Sequence, residues 1–544
     1  MSEDTRDHDH EEQEETGTPA ASGADAQEKP GGVGRRDLFK GLATLPVLGA
    51  LGAAAWGKKD ADDTKRQAII DELGVSGDAP AIIDRLTSRP PSDRINIGVI
   101  GFGGEGEAVV RAAGFPRPEW IDARRDAQRT NARDRRLDEY LAHGDLNLEL
   151  TGVCDLFDNR AQWAIDASNC ETRPGGAPVG RGATRYRRYT DMLEDGDVDA
   201  VIIATPDHWH AQISIDAANA GKHIYCEKAM TRTEEEVLPV VEAVKQSGVK
   251  FQLGHQNRQL ESHEKAREVY EKGILGPVTL VETTTNRNDP WGAWVWDIHP
   301  DGNPETIDWA QFQEHAGHEV PFSLERFFRW RCWFDYGTGL GGDLLSHEYD
   351  AVNQIMRLGI PKSATASGGI YFFKDGRDVP DTFQVAYEYP DRDLTLVYSA
   401  TLASGRGRGK VFMGHDAAME VGSGVRVVAE PQSTRFADLI EQEVVDPDLP
   451  LLTYRPGFKG LDAVTTATEE YFASRGLLFT YRGGQRVSTH WLHIKDWLDT
   501  IRFGGEPSCN IDRGFEEAIT CHMATASYQL GRKVEWDPVQ QKII

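Results

Sequence analysis

The sequence predicts an α/β N-terminal domain with a parallel, doubly wound sheet, followed by an α+β domain with a large, mostly antiparallel open sheet. From Arg94 onward, short apolar runs alternate with helical stretches, which is the pattern of a parallel sheet with helices on both faces. Beyond Gly276-Pro277 the strand-like runs alternate polar and apolar residues and are joined by turn-rich connections, which is typical of antiparallel strands. We therefore divide the folded part of the chain into residues 93–275 and 276–544.

The expected elements follow from these two patterns. In residues 93–275 we expect strands at 95–100, 148–154, 200–204, 222–226 and 251–253, and helices at 107–113, 211–220, 234–246 and 261–272. In residues 276–544 we expect strands at 278–284, 363–371, 382–389, 394–401, 411–413 and 426–429.

The first 92 residues do not have the composition of a folded domain. Residues 1–33 are acidic and almost free of apolar side chains, so we expect disorder. Residues 34–57 place Arg35-Arg36 before an apolar, glycine-rich run that ends in small residues, as in a twin-arginine export signal. The alternative is an ordinary anchor helix. Residues 58–92 are expected to be a polar linker with one short helix.

The export signal predicts a partner and a location. The partner is the twin-arginine translocase during export, and the location is the periplasmic, extracellular or cell-surface side of the membrane. Cleavage is expected after Ala55; without cleavage the run would anchor the protein in the membrane.

Composition excludes several functional classes. The 544 residues carry a formal charge of −27, which argues against a nucleic-acid binder that works through a basic face. A mean hydropathy of −0.50 excludes a multi-span membrane protein. The six cysteines are scattered without a C-x-x-C pair, so we expect buried free thiols rather than a zinc ribbon or a disulfide scaffold.

A glycine-rich loop follows the first predicted strand. Residues 101–106 read GFGGEG and lead into a helix, and in this arrangement backbone N–H groups and a helix N-terminus can bind a pyrophosphate. The motif therefore predicts a dinucleotide-binding Rossmann domain, with the loop's cofactor contacts at Gly101, Phe102, Gly103, Gly104 and Gly106.

Asp155 ends the next predicted strand, where a carboxylate accepts hydrogen bonds from the ribose hydroxyls of NAD. The same carboxylate would repel the 2′-phosphate of NADP, so NAD is the expected cofactor and NADP is the less favoured one. The usual distance from loop to acid is about 20 residues. Here the gap is longer, and we interpret the arginine-rich stretch 117–136 as an insertion.

Two further motifs give the chain a resemblance to a known family. Residues 204–210 read ATPDHWH, and residues 221–228 read GKHIYCEK. With these motifs, residues 94–538 resemble the Gfo/Idh/MocA oxidoreductases, including the ending GRKVEWDP. The family's E-K-P signature is Glu227-Lys228-Ala229 here, and we expect the loss of the proline to alter the local turn. The resemblance places these residues on the cofactor side: Thr205, Pro206, His210, Glu227 and Lys228.

The second domain contributes the segment GGDLLSHEYD at residues 341–350. Asp343, His347 and Asp350 are spaced so that they share one face of a helix. The resemblance implies that Asp343 and His347 join Lys228 around the substrate carbon that faces the nicotinamide. In that arrangement His347 suits a general base, Lys228 can stabilise a developing alkoxide, and Asp343 can bind a neighbouring hydroxyl.

Two other readings of these residues stay open. One is a helix cap by Asp343 with a satisfied histidine one turn on. The other is a metal site built from His347, Asp350 and either His208 or His210, although we predict no metal. The aromatic stretch 327–334 and the tryptophans at 291, 294 and 296 fit a sugar-stacking wall and a core equally well.

The resemblance implies an NAD(P)-dependent oxidoreductase that acts on CH–OH groups of a sugar, polyol or sugar derivative, assembled as a homo-oligomer. The alternative is a glycoside-cleaving enzyme of the same fold that oxidises its substrate transiently and eliminates a group. A third hypothesis is a non-catalytic binding protein, which the presence of Lys228, Asp343 and His347 argues against.

Overall fold

The computed structural model describes residues 64–65, 67–457, 479–482 and 485–544. The acidic tail at 1–33 and the export signal at 34–57 lie outside the described residues. Within the described ranges, no helix has the length and apolar character needed to cross a membrane.

The first domain is built on a six-stranded, wholly parallel sheet. Its strands run in the order β3-β2-β1-β4-β5-β6, with every neighbouring pair parallel. The bounds are β1 Ile95–Ile100, β2 Leu148–Cys154, β3 Thr184–Arg185, β4 Ala200–Ile203, β5 His223–Cys226 and β6 Phe251–Leu253. The strand order reverses between β1 and β4, and in such sheets ligands bind outside the carboxyl ends of the strands at this point. The doubly wound sheet is confirmed; only the two-residue β3 was not predicted.

Helices cover both faces of this sheet. The helix after the glycine loop begins at Gly104, earlier than expected, because the last glycines form its first turn. The stretch interpreted as an insertion contains the helix Pro118–Thr130 and leads into the helix Arg136–Leu141, and apolar side chains of the two helices form a small core around Trp120 and Tyr140. The helices of the first domain are Gly104–Ala112, Pro118–Thr130, Arg136–Leu141, Asp158–Ser168, Tyr189–Leu193, Asp207–Asn219, Val237–Ser247 and Glu261–Glu271.

The second domain contains a ten-stranded sheet in the order β14-β13-β12-β11-β7-β10-β9-β8-β17-β18. Only the β7–β10 pair is parallel, so the predicted mostly antiparallel sheet is confirmed. The bounds are β7 Val278–Asn286, β8 Ser363–Gly369, β9 Thr382–Tyr389, β10 Leu394–Thr401, β11 Lys410–Gly414, β12 Ala417–Val421, β13 Val425–Ala429, β14 Pro450–Tyr454, β17 Val534–Asp537 and β18 Lys542–Ile543. A separate hairpin joins β15 Phe479–Arg482 to β16 Gln485–Ser488. Strands β12, β14, β15, β16, β17 and β18 were not predicted.

The helices of the second domain pack on the sheet and on the first domain. They are Trp309–Gln313, Leu324–Phe328, Ser346–Met356, Ala437–Glu441, Thr489–Phe503 and Ile511–Leu530. A five-residue π-helical turn, Gly341–Leu345, leads directly into Ser346–Met356.

The chain crosses between the domains more often than a single boundary at residue 276 implies. Trp491, Leu492 and Trp497, on the helix Thr489–Phe503, lie in the apolar core of the first domain. The helix Ile82–Thr87, in the segment expected to be a linker, adds its isoleucines to the same core. The nucleotide domain is therefore completed by segments that precede and follow it.

Candidate active site

The glycine loop lies between the ends of β1 and β4. Gly101 has φ +88°, and a Cβ there would lie 2.6 Å from the carbonyl oxygen of Ala204. A Cβ on Gly106 would collide with the carbonyl of Gly101. Gly103 differs, because a Cβ there would meet nothing closer than Arg160 at 4.0 Å. The outer two glycines are thus required by packing, while Gly103 faces space that a ligand can fill.

Asp155, at the end of β2, is joined to this loop. Its carboxylate accepts hydrogen bonds from the backbone N–H of Phe102 at 2.6 Å and of Phe157 at 2.8 Å. Asp155 is only 8% exposed, and burial raises its pKa, with the Arg160 guanidinium opposing that shift. The structure therefore brings the predicted ribose acceptor against the predicted phosphate loop, despite the long insertion between them.

Glu105 on the loop pairs with a residue from the far end of the chain. His490, at the start of the helix Thr489–Phe503, places Nε2 3.3 Å from Glu105 Oε1. The protein around Glu105 would raise its pKa, but the hydrogen bond from His490 and the charges of Lys228 and Arg331 outweigh this and lower it to about 2. Glu105 is therefore an anion on the glycine loop, and the charge of Lys228 acts on it.

The residues after β4 and β5 hold each other in place. His210 directs Nδ1 at the carbonyl of Ala229 (2.6 Å) and Nε2 at the carbonyl of Thr205 (2.8 Å), so its ring has no polar atom left for a nucleotide. The Thr205 hydroxyl, by contrast, is buried and has no hydrogen-bond partner among the described residues. The carboxylate of Glu227 accepts a hydrogen bond from Gln256 Nε2 at 2.7 Å, and burial together with the charge of Glu105 raises its pKa well above the usual value.

Asp207 and His208, from the motif ATPDHWH, dock the second domain. Asp207 accepts hydrogen bonds from the backbone N–H and the hydroxyl of Thr338, at 3.0 and 2.8 Å. His208 Nε2 lies 2.8 Å from the carbonyl of Phe312. Both side chains therefore hold the helix Asp207–Asn219 against the second domain.

Lys228 and Asp343 meet across the domain boundary. Lys228 Nζ donates to Asp343 Oδ1 at 2.6 Å and to the carbonyl of Asp343 at 2.8 Å. Arg331 Nε donates to the same carboxylate oxygen at 3.0 Å. Burial alone would raise the pKa of Asp343, but Lys228 and Arg331 hold it well below its usual range. The carboxylate is therefore charged and is shared by two cations. The peptide bond between Lys228 and Ala229 is cis.

His347 lies one turn beyond Asp343. Burial, with the neighbouring charges of Lys228 and His255, lowers its pKa well below the usual value, so the ring is neutral near pH 7. Its Nδ1 is buried without a hydrogen-bond partner among the described residues. The imidazole is therefore in the protonation state that a general base requires.

Asp350 does not join this group, although it was expected on the same face. Arg258 binds it from another segment, with Nη2 and Nε donating to Oδ1 at 2.6 and 2.8 Å. The π-helical turn before Ser346 also departs from the regular helical spacing on which the expectation rested.

The donors that a metal site would need do not converge. Asp350 is bound by Arg258, and both His208 and His210 face backbone carbonyls. Within the described part of the chain, no cluster of histidine, cysteine and acidic residues has metal-binding geometry.

The aromatic residues divide between core and site. Phe327, Phe328 and Trp330 belong to an apolar cluster, and Trp294 is fully buried. The guanidinium of Arg331 lies 4.2 Å from the ring centre of Trp330 and 5.0 Å from that of Trp296. These two rings therefore fix the arginine that binds Asp343. All six cysteines are free and buried.

Three contributors to the candidate active site were not predicted from the sequence. Arg331 was visible only as one arginine in an aromatic stretch, without a sign that it binds Asp343. His490 and the His255–Glu517 pair are distant from every motif, and only the three-dimensional fold brings them to the site.

Comparison with known proteins agrees with this geometry. The family model described as oxidoreductase family, NAD-binding Rossmann fold (GFO_IDH_MocA) matches residues 95–255. Levoglucosan dehydrogenase from Pseudarthrobacter phenanthrenivorans is 29% identical over 33% of this chain and 41% of its own length. Inositol 2-dehydrogenase from Salmonella typhimurium is 29% identical over 26% of this chain and 39% of its own length. The chain thus matches about two fifths of the length of these curated relatives.

Among solved structures, a levoglucosan dehydrogenase in complex with NADH and levoglucosan superposes with a TM-score of 0.52. It is 19% identical, and the match covers 81% of this chain and 99% of that one. This likeness extends the shared fold to the second domain. Residues 95–255 therefore match the NAD-binding Rossmann fold of the Gfo/Idh/MocA oxidoreductase family model.

Proposed function

We propose that the protein is an NAD-dependent oxidoreductase that transfers hydride between a nicotinamide and a CH–OH group of a sugar, polyol or sugar derivative. The observation that carries this proposal is the contact of Lys228 with Asp343 at 2.6 Å. This contact joins the carboxyl edge of the parallel sheet to the second domain. The neutral His347 lies close enough to Lys228 and Asp343 for their charges to act on it.

Each of the three side chains has a part in the oxidation of an alcohol. NAD, when bound, accepts the hydride that leaves the carbon. His347 takes the hydroxyl proton, because its lowered pKa leaves it neutral. Lys228 binds the same oxygen and stabilises the negative charge that develops on it. Asp343 remains charged beside two cations, so it can accept a hydrogen bond from a neighbouring hydroxyl and orient the substrate.

The named relatives support the substrate class. Levoglucosan dehydrogenase and inositol 2-dehydrogenase are named for a sugar derivative and a polyol. The site offers two groups that such ligands require, namely the cation of Lys228 and the carboxylate of Asp343.

We propose NAD rather than NADP because Asp155 stands at the end of β2 and also binds the phosphate loop through Phe102 N–H. A 2′-phosphate placed there would meet a carboxylate. Arg160 lies near Asp155. Its guanidinium packs against aromatic side chains and lies 5.4 Å from the ring centre of Phe328.

A redox-neutral reaction is the second candidate. A 2,7-anhydro-N-acetylneuraminate hydratase from Escherichia coli is 30% identical over 32% of this chain and 37% of its own length. Hydration involves no net oxidation, so that name favours chemistry in which a hydride is taken up and returned. In the glycoside-cleaving version, transient oxidation acidifies a neighbouring C–H bond and permits elimination.

We also propose that a twin-arginine translocase exports the folded protein with its cofactor inside, and that the mature form is a homo-oligomer. Little free NAD is available outside the cytoplasm, so the cofactor would be loaded before export, held tightly and recycled in place. The six free, buried cysteines among the described residues are compatible with folding in a reducing compartment.

The test begins with protein purified without added nucleotide and then denatured. Mass spectrometry of the supernatant is expected to find NAD(H) in near-stoichiometric amount, and NADP in its place would overturn the cofactor assignment. The native protein is then given a panel of sugars, polyols and glycosides, with Lys228→Met as the matched control. Absorbance at the NADH wavelength reports net oxidation, whereas a released aglycone without NADH reports the redox-neutral reaction. No turnover in either assay would refute the proposed function.

A further inference from the structure

A second histidine lies behind His347, in a part of the molecule that the proposed chemistry does not use. The rings of His255 and His347 are perpendicular, with centres 5.2 Å apart. His255 follows β6, so it reaches His347 from the first domain. Its Nε2 donates to Glu517 Oε2 at 2.6 Å, and both side chains are only 1% exposed. Glu517 belongs to the helix Ile511–Leu530.

Burying such a pair is costly unless the charges compensate each other. Three atoms in the group have no hydrogen-bond partner among the described residues: His255 Nδ1, Glu517 Oε1 and His347 Nδ1. Most buried polar side-chain atoms have a hydrogen-bond partner. Three unsatisfied atoms around one buried ion pair make stability alone a poor explanation for the pair.

The surroundings of His255 keep it protonated. Burial would lower its pKa, and so does Arg258, but the carboxylates of Glu517 and Asp350 outweigh both and raise it. Arg258 is itself paired with Asp350 at 2.6 Å, which leaves Glu517 as the carboxylate dedicated to His255.

His347 faces mainly cations. Lys228, His255 and Arg287 favour its neutral form, and Asp343 favours its protonated form. Lys228 and Arg331 both bind Asp343, so the influence of that carboxylate on His347 is largely compensated. Burial and Lys228 contribute most to the lowered pKa of His347, and His255 adds a cation whose ring contacts His347 directly.

We propose that the Glu517–His255 pair is a positioning device for the reaction: it holds an imidazolium against the ring of His347 and so adds to the effects that keep His347 neutral and ready to accept the substrate proton. The inference rests on the proposed function for the role of His347, but the protonation state itself can be measured without turnover. Neither His255 nor Glu517 needs to touch the substrate.

The decisive variant is Glu517→Gln. Without its carboxylate, the buried His255 loses its proton, the positive charge beside His347 disappears, and His347 becomes easier to protonate. We expect the acid limb of the kcat/KM profile to move up by about one pH unit, since a charge at this distance shifts a neighbouring group by that order. His255→Gln removes the imidazole itself and is expected to move the limb in the same direction, so the test survives if one variant does not fold.

The matched control is His522→Gln. His522 is a buried histidine on the same helix, and its Nε2 lies 2.9 Å from the hydroxyl of Thr231, away from His347. It is expected to change thermal stability without moving the acid limb. If Glu517→Gln and His255→Gln lower kcat equally at every pH and leave the limb in place, the pair is only structural and the inference is wrong.

A measurement on resting protein separates the inference from the proposed function. Histidine labelled with ¹³C at Cε1 gives a signal for His347, identified by its loss in His347→Gln. We expect that signal to titrate at higher pH in Glu517→Gln than in the unmodified protein. An unchanged titration refutes the inference even if sugars are oxidised; a raised titration supports it even if none is.

Discussion

The proposed cofactor side and the proposed substrate side of the site are constructed differently. On the cofactor side, the groups that matter are backbone groups of one sheet: the turn at Gly101, and the N–H groups of Phe102 and Phe157 that bind Asp155. On the substrate side they are side chains from distant segments, such as Lys228, Arg331 and Asp343.

The difference determines how each side responds to change. A backbone site depends on close approach, so it is sensitive to the addition of a single Cβ. A side-chain site depends on charge, and one cation can partly replace another around the same carboxylate. The substrate side is therefore expected to lose chemistry while keeping its fold, and the cofactor side to lose its ligand.

The largest effect is expected from Lys228→Ala and His347→Ala. Each removes a group that acts on the reacting oxygen, and turnover should fall roughly 10²–10⁴-fold, the usual contribution of such groups. Arg331 still pairs with Asp343 at 3.0 Å, so Lys228→Ala should fold and should keep its NAD. Steady-state turnover and cofactor content measured on the same preparation provide the check. Near-normal turnover in either variant would show that the roles are misassigned.

The next effect compares two glycines of one loop. Gly103→Ala places a Cβ where no protein atom lies closer than 4.0 Å, so the fold should be unaffected while the pyrophosphate is pushed away. Affinity for NAD should fall about 10- to 100-fold, in line with the ~1–3 kcal/mol cost of overpacking.

Gly101→Ala is the matched contrast. Its φ of +88° and the Ala204 carbonyl at 2.6 Å predict a loss of thermal stability as well as of NAD. If Gly103→Ala binds NAD normally, the phosphate does not lie against this backbone. Calorimetry for affinity and thermal unfolding for stability distinguish the two variants.

The same contrast explains what the sequence could predict. The glycine loop, β1 and β2 were identified because each leaves a local signal, and the interpretation of 117–136 as an insertion rests on the length of chain between Gly106 and Asp155. Lys228, Asp343 and His347 were found through motifs that resemble a family. Asp350 was misplaced because regular helix spacing does not reveal Arg258, a competing partner on another element. His490 and Glu517 could not be predicted, because nothing local marks a residue that acts only through a distant contact.

A smaller effect is expected on cofactor choice. Asp155→Asn keeps an acceptor near Phe102 N–H and removes the charge that would repel a 2′-phosphate. We expect the ratio of the NADP to the NAD dissociation constant to fall about tenfold, the equivalent of the ~1.5 kcal/mol of a hydrogen bond to a charged group. Asp155→Ser with an adjacent arginine should shift the ratio further. Fluorescence titration of both nucleotides measures it, and an unchanged ratio in both variants would show that Asp155 does not read the ribose.

The smallest effect is expected where His490, from the C-terminal part of the chain, contacts Glu105 on the glycine loop. Glu105 is an anion in the first turn of the helix Gly104–Ala112, so we expect it to oppose a bound pyrophosphate, and we expect His490 at 3.3 Å to offset part of that opposition. Removing the histidine by His490→Ala should speed NAD release about two- to five-fold, the scale of a ~0.5–1 kcal/mol partly exposed ion pair. Glu105→Gln should slow release by a similar factor.

The double variant is the decisive test: if His490 acts by neutralising Glu105, then His490→Ala has no further effect once Glu105 is Gln. Stopped-flow release of NADH at low and high salt measures all three rates, and the single-variant effects should shrink as salt screens them. A histidine effect that persists in the Glu105→Gln background would mean that His490 contacts the cofactor itself, and the division between a backbone-built and a side-chain-built half would then no longer hold.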